Sequence, residues 1–151
     1  MSLDTDIAIL GQARPLSLLE RDALRLLAFS GDRRRLRPGD VLFRKGETSF
    51  GGAVVMSGEI GLDEDQQGEP RQIARAGALI GEVALLVATQ HPAQAVARAD
   101  SEAIVISRHL FKRVLEEFPQ NAAAIHQAYA ADLRRLSGQT ALIRQKIDQI
   151  G

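Results

Sequence analysis

Apolar positions follow three regimes along the chain. Leu19, Ala23, Leu26 and Leu27 recur in steps of three and four, the spacing of one helical face. Ser17 followed by Glu20 is a capping-box pattern, and Ser30-Gly31 is a stop. Together they predict an amphipathic helix over residues 18–29, inside a helical segment 16–31. Residues 1–15 read as polar up to Pro15, with no element assigned. From 33 to 106 the period changes. Short apolar runs at 41–43, 53–56, 59–62, 71–75, 79–80, 93–97 and 103–106 are punctuated by Pro38-Gly39-Asp40, Gly46-Glu47, Ser57-Gly58 and Gly77. Ser57-Gly58 reads as a tight hairpin. Short strands with glycine turns predict a β-roll or jelly roll rather than a parallel sheet.

From residue 107 onward the helical spacing returns. Ser107 caps a helix through Phe111, Val114 and Leu115 that ends before Pro119. No proline follows between 120 and 150. Ala122, His126, Tyr129, Leu133, Leu136, Thr140, Ile143, Ile147 and Ile150 form a heptad seam. A helix of roughly 30 residues is about 45 Å long, more than one small roll covers. Its last isoleucines are exposed unless a partner covers them, which predicts a parallel homodimer. Gly138 marks a kink or a close helix–helix approach. The predicted fold class is mainly β with flanking helices: a β-roll over 33–106 and C-terminal helices over 107–150, in one domain spanning 1–151.

Composition narrows the function classes. The 151 residues are 45% apolar and 25% charged, enough for one core. Nineteen basic and nineteen acidic side chains cancel, so no overall field draws in nucleic acid or an anionic membrane. There is no cysteine, which excludes disulfides, thiolate metal sites and cysteine nucleophiles and fits a reducing compartment. Neither a leader pattern nor an apolar run of membrane-spanning length is present, and a cytoplasmic location is expected. His91, His109 and His126 are isolated, without the clustering that metal-dependent oxygenase chemistry needs. No catalytic residue and no metal is therefore assigned, and no enzyme is expected. Arg33-Arg-Arg-Leu-Arg37 reads as a solvated edge strand with Leu36 facing in. A nucleic-acid contact would want aromatic residues for stacking. Residues 63–69 read as a solvated acidic hairpin tip, since a calcium loop needs alternating ligands.

The candidate chemistry sits in Gly77-Ala-Leu-Ile-Gly-Glu-Val-Ala-Leu-Leu86. A buried strand, Leu79-Ile80, runs into Gly81-Glu82 and then a single helical turn. Such a turn points unpaired N–H groups and a partial positive charge forward, an anion site that glycine lets a ligand approach closely. The adjacent carboxylate would repel a bare phosphate but accept from a sugar hydroxyl. The pair implies a sugar phosphate.

This stretch resembles the phosphate-binding cassette of the cyclic nucleotide-binding domain family, the β-roll module of catabolite-activator-type regulators, kinases and channels. Leu36-Arg-Pro-Gly-Asp-Val-Leu-Phe-Arg-Lys-Gly46 resembles the family's entry strands, and Val54-Val-Met-Ser-Gly-Glu-Ile60 its central hairpin. The resemblance implies a regulatory domain taking cAMP or cGMP as ligand, with no other cofactor, signalling through a dimer helix. Gly81 and Glu82 match the residues that bind the ribose hydroxyl and phosphate. The amides of Val83 and Ala84 match those facing the phosphate. The family's next motif is Arg-Ser or Arg-Thr followed by alanine. Here those positions carry His91, Pro92 and Ala93. Histidine offers one donor per direction and is mostly neutral at pH 7, and proline removes a hydroxyl and an N–H. Loss of the arginine weakens binding roughly tenfold to a few hundredfold. His91 reads either as a phosphate ligand, with affinity rising as pH falls toward 6, or as an exposed loop residue. Arg134-Arg135-Leu136 resembles a helix stretch whose arginine reaches the cassette acid. It implies Arg135 near Glu82, with Gln139 and Thr140 near the base. The alternative is a solvated arginine pair and polar seam residues. DNA-binding relatives carry a helix-turn-helix after the long helix, so no DNA binding by this chain alone is expected. A second functional reading stands beside the sensor: a degenerate fold that binds no nucleotide and serves as a dimerisation or docking module.

Overall fold

The computed structural model describes residues 2–64, 70 and 72–135, with backbone alone for 131–135. Ten short strands and four helices make up the described part. Two four-stranded antiparallel sheets face each other. The first has the order β1 (Asp32–Leu36), β10 (Ser101–Ser107), β4 (Gly51–Ser57), β7 (Leu79–Ile80). The second has the order β2 (Val41–Phe43), β9 (Gln94–Ala97), β5 (Ile60–Asp63), β6 (Gln72–Ala74). A two-residue pair, β3 (Thr48–Ser49) with β8 (Thr89–Gln90), closes one end. This is the β-rich roll with flanking helices that the spacing predicted.

Side chains along a strand alternate between faces, and the first sheet uses both. Val54 and Met56 of β4, with Ile104 and Ile106 of β10, pack into an apolar cluster with the helices. Ala53 and Val55, with Ala103, point the other way into the roll, against Ala95, Ala97, Ala74 and Ile60. Small alanines on these facing strands let the two sheets approach closely. β1 is an edge strand whose four leading residues are exposed, with Leu36 buried. Arg33 bridges Asp6 and Glu102, which hold its guanidinium firmly protonated, and Arg34 pairs with Asp32 at 3.0 Å.

Three expectations are corrected. Ser57-Gly58 does not close a hairpin: β4 pairs with β10 and β7, whereas β5 pairs with β6 and β9. The chain crosses between sheets there, through Gly58 at φ +85°. A Cβ on Gly58 would sit 2.4 Å from the carbonyl oxygen of Asp100, so only glycine fits the crossing. The N-terminal segment is not featureless. Leu3–Leu10 forms α1, capped by Ser2, with Ile7 and Leu10 buried. Finally, Ser17 does not cap a helix at 18. Leu16–Leu18 is a 3-10 turn, and α2 runs from Arg21 to Ser30. The N–H of Glu20 donates to Asn121 Oδ1 at 2.7 Å, which satisfies it from another helix and resets the start.

After β10, Ser107 caps α3 (Arg108–Glu117) by accepting from the N–H of Leu110, and α4 (Pro119–Arg135) follows. Ile125 is buried in the helix-side cluster and Tyr129 packs against it, while His126, counted on the seam from its spacing, is exposed. The seam from Leu136 to Ile150, with Gly138, lies outside the described residues.

Candidate functional site

The cassette begins where β7 pairs with β4, Leu79 opposite Val54 and Ile80 opposite Ala53. Gly81 then adopts φ +83°, a left-handed conformation that L side chains rarely take, and swings the chain into the turn Val83–Leu85. Leu85 drops into the helix-side core and seats the turn. The turn's own bonds start with the Ala84 N–H, which donates to Gly81 O at 3.0 Å. The Ala84 amide thus closes the turn. Glu82 and Val83 are left as the amides ahead of the first turn bond. Val83 is exposed and Ala84 buried.

Glu82 is exposed, and its Oε1 accepts a hydrogen bond from Tyr129 Oη on α4. Arg135 is the last described residue of α4, its side chain outside the described residues, as are Gln139 and Thr140. Tyr129, read from the sequence only as a seam position, is thus placed on the cassette acid among the described residues. A seam assignment looks for partners on another helix and passes over a phenol turned toward its own domain.

The far end of the cassette is stitched to the β2–β3 turn. His91 N–H donates to Glu47 O at 3.0 Å, and Gly46 N–H donates to His91 O at 2.9 Å. The His91 side chain is not an exposed loop group. It is only 8% exposed and stacks on Phe43, centroids 4.1 Å apart and planes at 15°. Burial pushes its pKa below 6.5, with Glu47 pulling weakly the other way, so the ring is neutral at pH 7. Pro92 is exposed and Ala93 half-buried. The structure therefore joins Gly81, Glu82 and Val83 in one turn and engages His91 with Phe43.

A further residue went unread in the sequence. Arg108, just after the α3 cap, sends Nη1 to the carbonyls of Ala84 (3.0 Å), Ser49 (3.2 Å) and Val87 (3.3 Å). One guanidinium thereby fixes the trailing end of the cassette turn to the start of α3. Among the described residues no cluster of three His, Asp or Glu side chains is placed to hold a metal ion, and no helix is long and apolar enough to cross a membrane.

The family model of the cyclic nucleotide-binding domain matches residues 33–118, which span β1 through α3 and contain this whole cassette. The chain belongs to the cyclic nucleotide-binding domain family. A cyclic nucleotide-binding-like protein from Brucella abortus is 38% identical over 74% of this chain and 97% of its own, with TM-score 0.67. The N-terminal domain of a transcriptional regulator from Streptomyces coelicolor superposes with TM-score 0.77 over 87% of this chain and 94% of its own, at 21% identity. The catabolite activator protein of Thermus thermophilus has TM-score 0.63 over 83% of this chain and 61% of its own, at 24% identity. The last two share the fold. No match to a curated protein is found. Membership makes this a regulatory cyclic nucleotide-binding module. Within the matched span, His91 is neutral and stacked on Phe43, and Pro92 follows it.

Proposed function

We propose that this chain is a sensing domain that takes cAMP or cGMP at the turn Gly81-Glu82-Val83 and passes occupancy to α4. The observation that carries the reading is the left-handed Gly81 delivering the Glu82 and Val83 amides and the Glu82 carboxylate to one short turn. Amides suit the phosphate and the acid suits the ribose hydroxyl. Support for α4 as the output is its direct bond to the same acid. Pairing of two α4 helices in a parallel homodimer belongs to the same proposal, and so does a cytoplasmic location.

Affinity is expected to be modest, because a neutral imidazole supplies no charge to a phosphate monoanion. Isothermal titration with cAMP and cGMP at pH 6 and 8 tests the reading. Measurable heat at submillimolar nucleotide is the expected result. No heat at millimolar nucleotide removes the sensor. If His91 turns to the phosphate, binding takes up a proton and affinity rises as pH falls toward 6.

The His91–Phe43 stack favours a second reading, in which the module binds no nucleotide and acts in dimerisation or docking. The double substitution His91→Arg with Pro92→Ser separates the two. A pocket that is shaped but lacks its cation gains affinity, by roughly tenfold or more; a filled one gains none.

A further inference from the structure

We propose that the groove between the cassette turn and α3 docks an amphipathic helix of another protein, apolar on one face and acidic along its edge. The groove has a volume of about 680 Å³ and opens to solvent. Its floor is apolar, with Phe111 of α3 and Leu85 of the cassette turn, both buried. Phe50 and Leu86 form its lip and stay in water, Phe50 at 74% exposure. Val83 and Val87, beside Leu86 in the chain, are exposed as well. Exposed apolar side chains around a concave apolar floor mark an interaction site. The backbone under Phe50 is fixed. Its carbonyl accepts from the Arg108 N–H at 2.6 Å, and a Cβ on the next residue, Gly51, would lie 2.0 Å from Ile106 O. A phenyl ring on fixed backbone has little freedom to lose when a partner covers it, which suits an interface anchor.

Charge and shape select the occupant. The lining includes Arg108, His109 and Lys112 and no acid. Lys112 is exposed and has no ion pair among the described residues. The Arg108 guanidinium reaches carbonyls, which do not neutralise it. Cations over an apolar floor fit carboxylates that flank apolar side chains. Phe111 and Leu115, one helical turn apart on α3, line the same side. The occupant therefore lies along a helix of ten residues, about 15 Å, as one helix packs on another. A second copy of this chain offers no match among the described residues. Its α3 would set like charges together, and the outer face of α2 carries Arg21 and Arg25 against Asp22. A flat bilayer does not reach Phe111 or Leu85 at the floor, and the net charge of the chain is zero. The site gives the docking reading above a place, and it holds whether or not a nucleotide binds.

The probe is a fluorescein-labelled helical peptide with leucines every three or four residues and glutamates beside them, read by anisotropy against the full chain at low salt. Binding at submillimolar peptide is expected. Phe50→Ala should weaken it roughly fivefold or more, and Lys112→Glu by at least as much. Both residues are exposed, so neither change disturbs the core. The same peptide with lysines in place of the glutamates should bind more weakly than the acidic one. No binding at millimolar acidic peptide, equal binding of the two peptides, or full binding by Phe50→Ala overturns the proposal. So does a fall in sedimentation mass on Phe50→Ala, which would make this face a contact between copies. Capture of the unsubstituted chain, but not Phe50→Ala, by phosphatidylglycerol vesicles would make lipid the occupant and overturn it too.

Discussion

At the scale of single residues, the site turns on what His91 has become. An imidazole stacked on Phe43 and almost fully buried is held in its neutral form. Its folded pKa lies below 6.5, so between those two values the unfolded chain binds more protons than the folded one. The stability that the neutral ring contributes is complete above about pH 6.5 and is lost as pH falls toward the folded value. His91→Phe keeps an aromatic stack and removes the titration. We expect the unsubstituted chain to lose more melting temperature than His91→Phe between pH 7.5 and 5.5. Parallel melting curves at the two pH values would show that the ring is not buried neutral. The sequence exposed the departure from Arg-Ser but not this outcome. Phe43 lies 48 positions before His91, and the pairing of β2 with β9 and the His91 backbone bonds to Gly46 and Glu47 bring the two together.

At the scale of elements, local pattern was a good guide where the local signal was strong. Leu79-Ile80 running through Gly81 into a single turn, the strand at 103–106 and the Ser107 cap were all legible. They rest on β-branched runs, a glycine that must be left-handed and a capping hydroxyl. The misreadings came where a distant partner decides. Asn121 resets the start of α2 from about 100 residues away, and Ser57-Gly58 looks like a hairpin turn until the sheets show that its two strands never pair. Arg108 shows the reverse case, one side chain that couples three carbonyls and was invisible to periodicity. For α4, the apolar spacing that continues past Arg135 predicts a parallel pair of helices. Sedimentation of the full chain should give a dimer mass, and Ile143→Lys with Ile147→Lys should reduce it to the monomer. A monomer mass before substitution would refute the pairing.

At the scale of the whole molecule, the helix layer and the cassette share one core. Leu85 of the turn, Val54 of β4, Phe111 of α3 and Ile125 of α4 sit in a single cluster. The turn and α4 are therefore joined by shared packing and by the Tyr129–Glu82 bond. The overall class was readable because strand spacing and glycine turns are whole-chain signals. The turn at Gly81 and Glu82 was readable from a motif, which says nothing of the phenol that meets the acid. The most direct measurement of the central claim is a nitrogen-15 NMR titration of the full chain with cAMP. The account predicts that the largest amide shifts fall on Gly81, Glu82 and Val83. Shifts confined to other parts of the chain, or none at millimolar cAMP, would contradict it.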